Sequence, residues 1–322
     1  MSDEQSAPTC YRHRNRQTYL RCVRCDKPIC ADCRIDAPVG FQCPDCVAAG
    51  RRTMRKTRSS FGGGARAGAA GTVTKVLIGL NVAVFLLAVI SAGSLTAATT
   101  SGSTPLHWLG AQIGYLPGYQ SGALLPGNIG FVTDTAATVD IFGRAVSMPF
   151  VADGGYYRMV TAMFMHFGVF HLLFNMVVLW MLGRVLERDL GPARFLTAYM
   201  LSGLAGSVAV YMFAFDTSTA GASGAVYGLF GLLIMVNRKL RRDNQGIYVL
   251  LGLNLVLTLV MGFSFAGHVG GLVGGFICGA ILTFTPRERR YLHWVGFAVL
   301  LAALAAATFF QTGVLDNQYD IV

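Results

Sequence analysis

Ala266-Gly267-His268-Val269-Gly270-Gly271 opens one apolar stretch of this chain, and Gly221-Ala222-Ser223-Gly224 opens another 45 residues earlier. The first stretch continues with glycine at 267, 271, 275 and 279, one in every four residues. On a helix that spacing makes a flat ridge against which a second helix can pack backbone to backbone. Gly224 and Gly228 give the other stretch a matching surface. A serine and a histidine, each at the mouth of its own helix, would thereby be brought together.

The composition says where those helices lie. Of the 322 residues 53% are hydrophobic and only 13% charged, and the mean hydropathy is +0.51. No soluble domain of this size carries such a balance, so the chain reads as an integral membrane protein in a lipid bilayer. Its net charge of +10 is concentrated before residue 70 and in two short loops, not along one amphipathic face. That distribution encodes topology, and no nucleic-acid partner is expected.

Apolar runs long enough to span fall at about 74–94, 158–182, 194–215, 222–237, 247–264, 267–285 and 292–311. The fold class is therefore an all-α polytopic membrane protein. The run from Ala222 is short and polar at its ends, which suits a helix inside the bundle. Basic segments at 51–66, at Arg238-Lys239-Leu240-Arg241-Arg242 and at Arg287, Arg289 and Arg290 share the cytoplasmic side by the positive-inside rule. Alternation puts the N-terminus in the cytoplasm, and the long first loop, 95–155, and the C-terminus outside. Ser223 and His268 then begin their helices at the same, outer, face.

The second helix adds polar groups at that level. His171 and Asn175 are four residues apart on one face, and His166 lies a turn further out. Polar side chains in a spanning helix are costly unless they find partners or do work. Acyl-transfer chemistry needs a nucleophile, a base and donors for the oxyanion. Ser223 suits the first, His268 the second, and His171, Asn175 and the Ser223 amide the third. These helices carry no carboxylate to orient the imidazole, so a dyad is expected and not a triad. Tyr227, four residues after Ser223, can stack on His268.

Those motifs, G-x-S-G, A-G-H-x-G-G and His166-x4-His171-x3-Asn175 in this order, resemble the rhomboid family of intramembrane serine proteases over about residues 74–285. Tyr157-Arg158 stands where that family usually has Trp-Arg, and Glu187 with Gly191 follows the second helix. The resemblance implies a six-helix core with one extra C-terminal helix. It implies Ser223 as nucleophile, His268 as general base and acid, His171 and Asn175 in the oxyanion hole, Tyr227 packed on the histidine, and His166 holding the first loop and a water. It further implies single-pass membrane proteins as substrates, cut near the outer face of the plasma membrane, with no cofactor for catalysis. The competing reading is a catalytically silent relative that binds membrane clients, which would be expected to lose Ser223 or His268.

Before the membrane part, seven of the eight cysteines and one histidine form four pairs at one spacing: Cys10/His13, Cys22/Cys25, Cys30/Cys33 and Cys43/Cys46. Eight donors make two closed four-ligand zinc sites, structural in kind. Disulfides are disfavoured because the following basic run, Arg51 to Arg58, places the segment in the reducing cytoplasm. The stretch resembles a B-box or RING-like module, which would put Cys10, His13, Cys30 and Cys33 on one ion and Cys22, Cys25, Cys43 and Cys46 on the other; sequential pairing is the alternative. The expected organisation is a zinc module at 1–50 that takes a cytoplasmic protein partner, a basic and Gly/Ala-rich linker at 51–73, the protease core at 74–285, and the seventh helix with a short outer tail at 286–322. Within the first loop, Thr104–Gly110 reads as an interfacial segment, and Cys278 as a buried helix residue.

Overall fold

The computed structural model describes residues 7–53, 61, 71–92, 132–133, 136–141, 144–215 and 219–319. Two compact units divide the chain, Met1–Thr57 and Arg58–Val322.

The first unit has little regular structure. Strands β1 (Ile35–Asp36) and β2 (Phe41–Gln42) pair antiparallel, Ile35 opposite Gln42. Gly40, at φ +65°, closes the turn between them. Helix α1 (Pro44–Thr53) starts on a proline, with Asp45 in its first turn and Arg51 and Arg52 in its last, each charge matched to the helix dipole. Its core consists of Ile29 and cysteines Cys10, Cys22, Cys30, Cys33 and Cys43. So small a core needs a further staple to hold its shape.

The second unit is a helical bundle. Its long helices are α2 (Thr72–Ala92), α4 (Val169–Leu190), α5 (Pro192–Phe213), α6 (Ser223–Leu240), α7 (Gln245–Met261), α8 (Phe265–Phe284) and α9 (Leu292–Tyr319), with a one-turn α3 (Arg158–Thr161) before α4. Among the described residues, α2, α4, α5, α8 and α9 are long and apolar enough to cross a membrane on their own, and α7 is a shorter apolar helix. The chain is a multi-pass membrane protein. Each of the seven expected runs contains one of these long helices. The last is eight residues longer than its expected end at 311, so most of the expected outer tail is helix.

Two expectations are modified. The run from Arg158 is not one helix: after α3 a single 3-10 turn spans Ala162–Phe164, Met165 is extended, and Gly168 stands at φ +151° before α4 begins. His166 therefore sits in the loop that precedes the helix carrying His171, not one turn along it. Secondly, the first loop holds a three-stranded antiparallel sheet, β3 (Val132–Thr133), β4 (Ala136–Ile141) and β5 (Arg144–Pro149), in the order β3-β4-β5. The interfacial segment 104–110 and most of the 51–73 linker lie outside the described residues.

Helix α6 is the centre of the bundle, buried from Ala225 through Ile234, and its largest contact is with α8. Glycines decide that contact. A Cβ at Gly271 would stand 2.0 Å from the Gly224 carbonyl oxygen, and one at Gly275 1.9 Å from that of Gly228. On the neighbouring edge of α8, Gly270 and Gly274 lie against Ala209 and Ala205 of α5. Cys278 is fully buried, as expected.

Polar groups fix the ends. Buried Glu187, near the end of α4, accepts from the Val73 and Thr74 amides and the Thr74 hydroxyl, all at 2.9 Å. Its carboxylate thus satisfies orphan N–H groups at the start of α2 and meets the positive end of that helix. Gly191, at φ +85°, turns the chain from α4 into α5. Asp189 pairs with Arg242 beyond α6, and Asn237 donates to Asn244 at 3.0 Å. Helix α9 lies mainly on α5, with Tyr211 and Thr312 hydroxyls 3.0 Å apart.

Candidate active site

Ser223 is the first residue of α6, entered through a turn that only glycine can make. Gly221 has φ +134°, and a Cβ there would lie 2.8 Å from Cε1 and Nε2 of His171. The Gly221 amide donates to the Ala162 carbonyl at 2.8 Å, tying the serine turn to the 3-10 turn before α4. The next amide, Ala222 N–H, donates to His166 Nε2 at 3.3 Å. So His166 holds the serine turn from outside the α4 helix. Because Ser223 starts a helix, its amide and the next two have no intrahelical acceptor, and the ladder begins with the Val226 amide donating to the Ala222 carbonyl at 2.9 Å.

His268 lies in the first turn of α8, which Ser264 caps by accepting from the Gly267 amide at 3.2 Å. Its ring stacks on Tyr227 at 4.2 Å between centroids and 10° between planes. His268 Nδ1 is 2.8 Å from Thr258 Oγ1 of α7. Ser223 and His268 line two cavities together, one of about 300 Å³ and a smaller one of about 30 Å³, room for a single water. Among the described residues no direct hydrogen bond joins them. Catalytic hydrogen bonds commonly tighten only when substrate is bound.

The larger cavity opens between α4, α6, α7 and α8, and His171, Asn175 and Tyr227 complete its polar wall. His171 sits edge-on to His166, with centroids 5.1 Å apart, and stacks on Phe263 at 5.4 Å. Asn175 Nδ2 donates to the His171 carbonyl one turn back, at 2.9 Å. Phe170, Phe174, Val178, Val226 and Leu257 supply the apolar remainder. A slot of this kind can hold an extended apolar segment beside a hydroxyl, an imidazole and several hydrogen-bond donors.

Every residue expected around Ser223 and His268 is therefore on this wall or next to it: His171, Asn175 and Tyr227 line the cavity, and His166 braces the turn. Sequence reasoning missed Thr258. Its signal was a threonine four residues after Asn254 in an otherwise apolar run, and nothing in the spacing links that run to His268.

Comparison with known proteins decides the family. Residues 153–285 match the Rhomboid domain. Over 151 residues the chain is 36% identical to the rhomboid YdcA of Bacillus subtilis (strain 168), covering 44% of this chain and 74% of that protein. The chain belongs to the rhomboid family. Rhomboid protease GluP of the same organism is 40% identical over 167 residues, 48% of this chain and 31% of GluP. RHOMBOID-like protein 7 of Arabidopsis thaliana is 32% identical over 160 residues, 48% of this chain and 51% of that one. This rhomboid thus spans about a third of GluP and about half of the plant relative. The Rhomboid match covers α3 to α8, the elements that build the cavity, and leaves out the cysteine-rich unit and α9.

That cysteine-rich unit of the rhomboid carries two clusters. Cys10, His13, Cys30 and Cys33 bring four donor atoms within 4.8 Å of one another, and so do Cys22, Cys25, Cys43 and Cys46. Either set can hold a metal ion. The grouping is the interleaved one that the B-box or RING-like resemblance implies; sequential pairing would have put Cys22 beside Cys10. Burial works against ionisation at Cys10, but amide donors from Arg12, Cys30 and His13 outweigh it and bring the thiol down to about 6. Cys22 is brought to about 6 in the same way, burial opposed by the amides of Cys43, Arg24 and Cys25.

Proposed function

We propose that this rhomboid is an intramembrane serine endopeptidase that cuts single-pass membrane proteins near the outer membrane face. Ser223 Oγ attacks the scissile carbonyl while His268 takes its proton and returns it to the leaving amine. The Ser223 amide, His171 and Asn175 receive the developing oxyanion, a role worth about 10²–10³ in rate per donor in other acyl-transfer sites. Asn175 must release the His171 carbonyl or share its second amide proton to take part. Water that hydrolyses the acyl-enzyme has a place in the small cavity beside Ser223 and His268.

The observation that carries this reading is convergence. Ser223 and His268, 45 residues apart, face the same cavity as His171 and Asn175, and the close approach of α6 and α8 depends on glycines that have no other evident use. A soluble hydrolase would not need an entrance lined by Phe170, Phe174 and Leu257; a substrate arriving through lipid would. Purified protein in lipid, given a single-pass substrate, should cleave it, and Ser223→Ala should not.

In the same reading the N-terminal unit is a zinc module, residues 1–50, with two structural ions and no part in the chemistry. A tetrahedral ion about 2.3 Å from each thiolate sets sulfurs roughly 3.8 Å apart. The Cys25–Cys43 sulfur distance of 3.7 Å fits, as do His13 Nδ1 contacts of 3.3 Å to Cys30 and Cys33. The basic run after it favours a cytoplasmic position, where it would take a protein partner, with the rest of the chain in the plasma membrane and the C-terminus outside.

A further inference from the structure

Helix α7 faces outward along most of its length. Tyr248, Val249, Leu253, Val256, Leu259 and Val260 are all exposed. Thr258 is the exception, 1% exposed and turned toward the cavity. Its Oγ1 lies 2.8 Å from His268 Nδ1, 2.7 Å from Tyr227 Oη and 2.9 Å from the Asn254 carbonyl oxygen.

The hydroxyl brings one proton and two lone pairs to three neighbours. Asn254 offers only a carbonyl, which can do nothing but accept. If Thr258 gives its proton to that carbonyl, both lone pairs remain, and Tyr227 O–H and His268 Nδ1–H can each donate to one. All three contacts are then hydrogen bonds. If Thr258 instead donates to His268 Nδ1, the Asn254 contact is lost and a buried hydroxyl network is left one bond short, which is costly in a dry interior. The complete arrangement fixes the proton of neutral His268 on Nδ1. Nε2 is left with its lone pair, the state a base needs.

From this we infer that Thr258 is a positioning residue for His268: it accepts from Nδ1–H, holds the imidazole in the tautomer whose Nε2 can deprotonate Ser223, and still accepts once the ring is an imidazolium. The inference rests on the protease reading above. It supplies the function that a buried carboxylate has in a triad, but without a charge, which suits a site enclosed by apolar helices. The group comes from α7, whose main packing partner, α6, it meets over a much smaller contact than α6 makes with α8.

The test is a substitution pair. Thr258→Val keeps the shape and removes the hydroxyl; Thr258→Ser keeps the hydroxyl and removes a methyl group. Steady-state cleavage of a single-pass substrate by full-length protein in lipid should show kcat lower by roughly 10- to 100-fold in Thr258→Val, KM within about twofold, and kcat near wild type in Thr258→Ser. Nitrogen-15 spectra of histidine-labelled protein, with His268→Gln to assign the signal, should place the neutral-ring proton on Nδ1 in wild type and Thr258→Ser, and lose that preference in Thr258→Val. Equal loss of kcat in both variants, with the tautomer unchanged, would reduce Thr258 to a packing residue. Wild-type cleavage with an unaltered Thr258→Val would remove the inference and leave the protease reading standing. Absence of Ser223-dependent cleavage in wild type would remove the protease reading itself, and the tautomer spectra would still report on Thr258.

Discussion

Gly271 of α8 lies so close to Gly224 of α6 that a Cβ added at 271 would stand 2.0 Å from the Gly224 carbonyl oxygen. Backbone meets backbone one residue past Ser223 and about one turn past His268. The distance between the serine helix and the histidine helix is thus set by a missing side chain.

Gly271→Ala must therefore push α8 off α6 or fail to fold. Overpacking of this kind costs about 1–3 kcal/mol where neighbours can yield, and here the neighbour is backbone. Gly252→Ala on α7 is the control, since a Cβ there meets nothing within 4 Å and alanine is the better helix former by about 1 kcal/mol. Thermal unfolding in detergent should show a clear loss for the first and no loss, or a small gain, for the second.

Glu187 accepts three hydrogen bonds at the start of α2 with two oxygens. Glu187→Gln offers one acceptor and an amide that faces other donors, leaving buried N–H groups unsatisfied at about 1–3 kcal/mol. Hydrogen exchange at the Val73 and Thr74 amides should rise in this variant while amides in the α6–α8 contact stay protected.

Asp153, in the turn before α3, is pushed up to about 6 by burial, helped by the nearby Asp316 charge and opposed by the Phe150 amide, which donates to it at 3.2 Å. A carboxyl raised in the folded state favours folding while protonated. The contribution is full below the unfolded value near 4 and is lost as pH rises through about 6. The residue is partly exposed, so solvent screening holds the effect to about 1 kcal/mol. Asp153→Asn should raise the melting temperature at pH 7.5 and leave it unchanged near pH 4, whereas a rise of equal size at both would show that the charge is not responsible.

Metal content tests the interleaved grouping of the cysteines. Wild type should carry two zinc ions per chain. Cys22→Ser with Cys43→Ser touches one cluster and should leave one ion; Cys22→Ser with Cys30→Ser touches both and should leave none. Sequential pairing predicts no ion retained in either double variant, so the first one decides between the two groupings.

Much of this was legible in the sequence because the membrane imposes strong rules. Seven apolar runs gave seven helices, since lipid leaves the backbone no other way to satisfy itself. The four-residue glycine spacing on α8 anticipated its contact with α6, and the two-residue cysteine spacing anticipated two clusters. What the sequence hid depends on local geometry. The run from Arg158 is as apolar as a helix should be, but Gly168 and the extended Met165 interrupt it and move His166 into a loop. The sheet at 132–149 has no strong alternation to announce it. Thr258 faces His268 only because of how α7 is rotated and seated, and periodicity does not specify that.

Cleavage of a single-pass substrate by purified protein in lipid tests the central claim most directly, with wild type, Ser223→Ala and His268→Ala compared at matched folding. Loss of cleavage in both variants, with wild-type cleavage unaffected by chelators, is the predicted result. Cleavage that survives Ser223→Ala would contradict it.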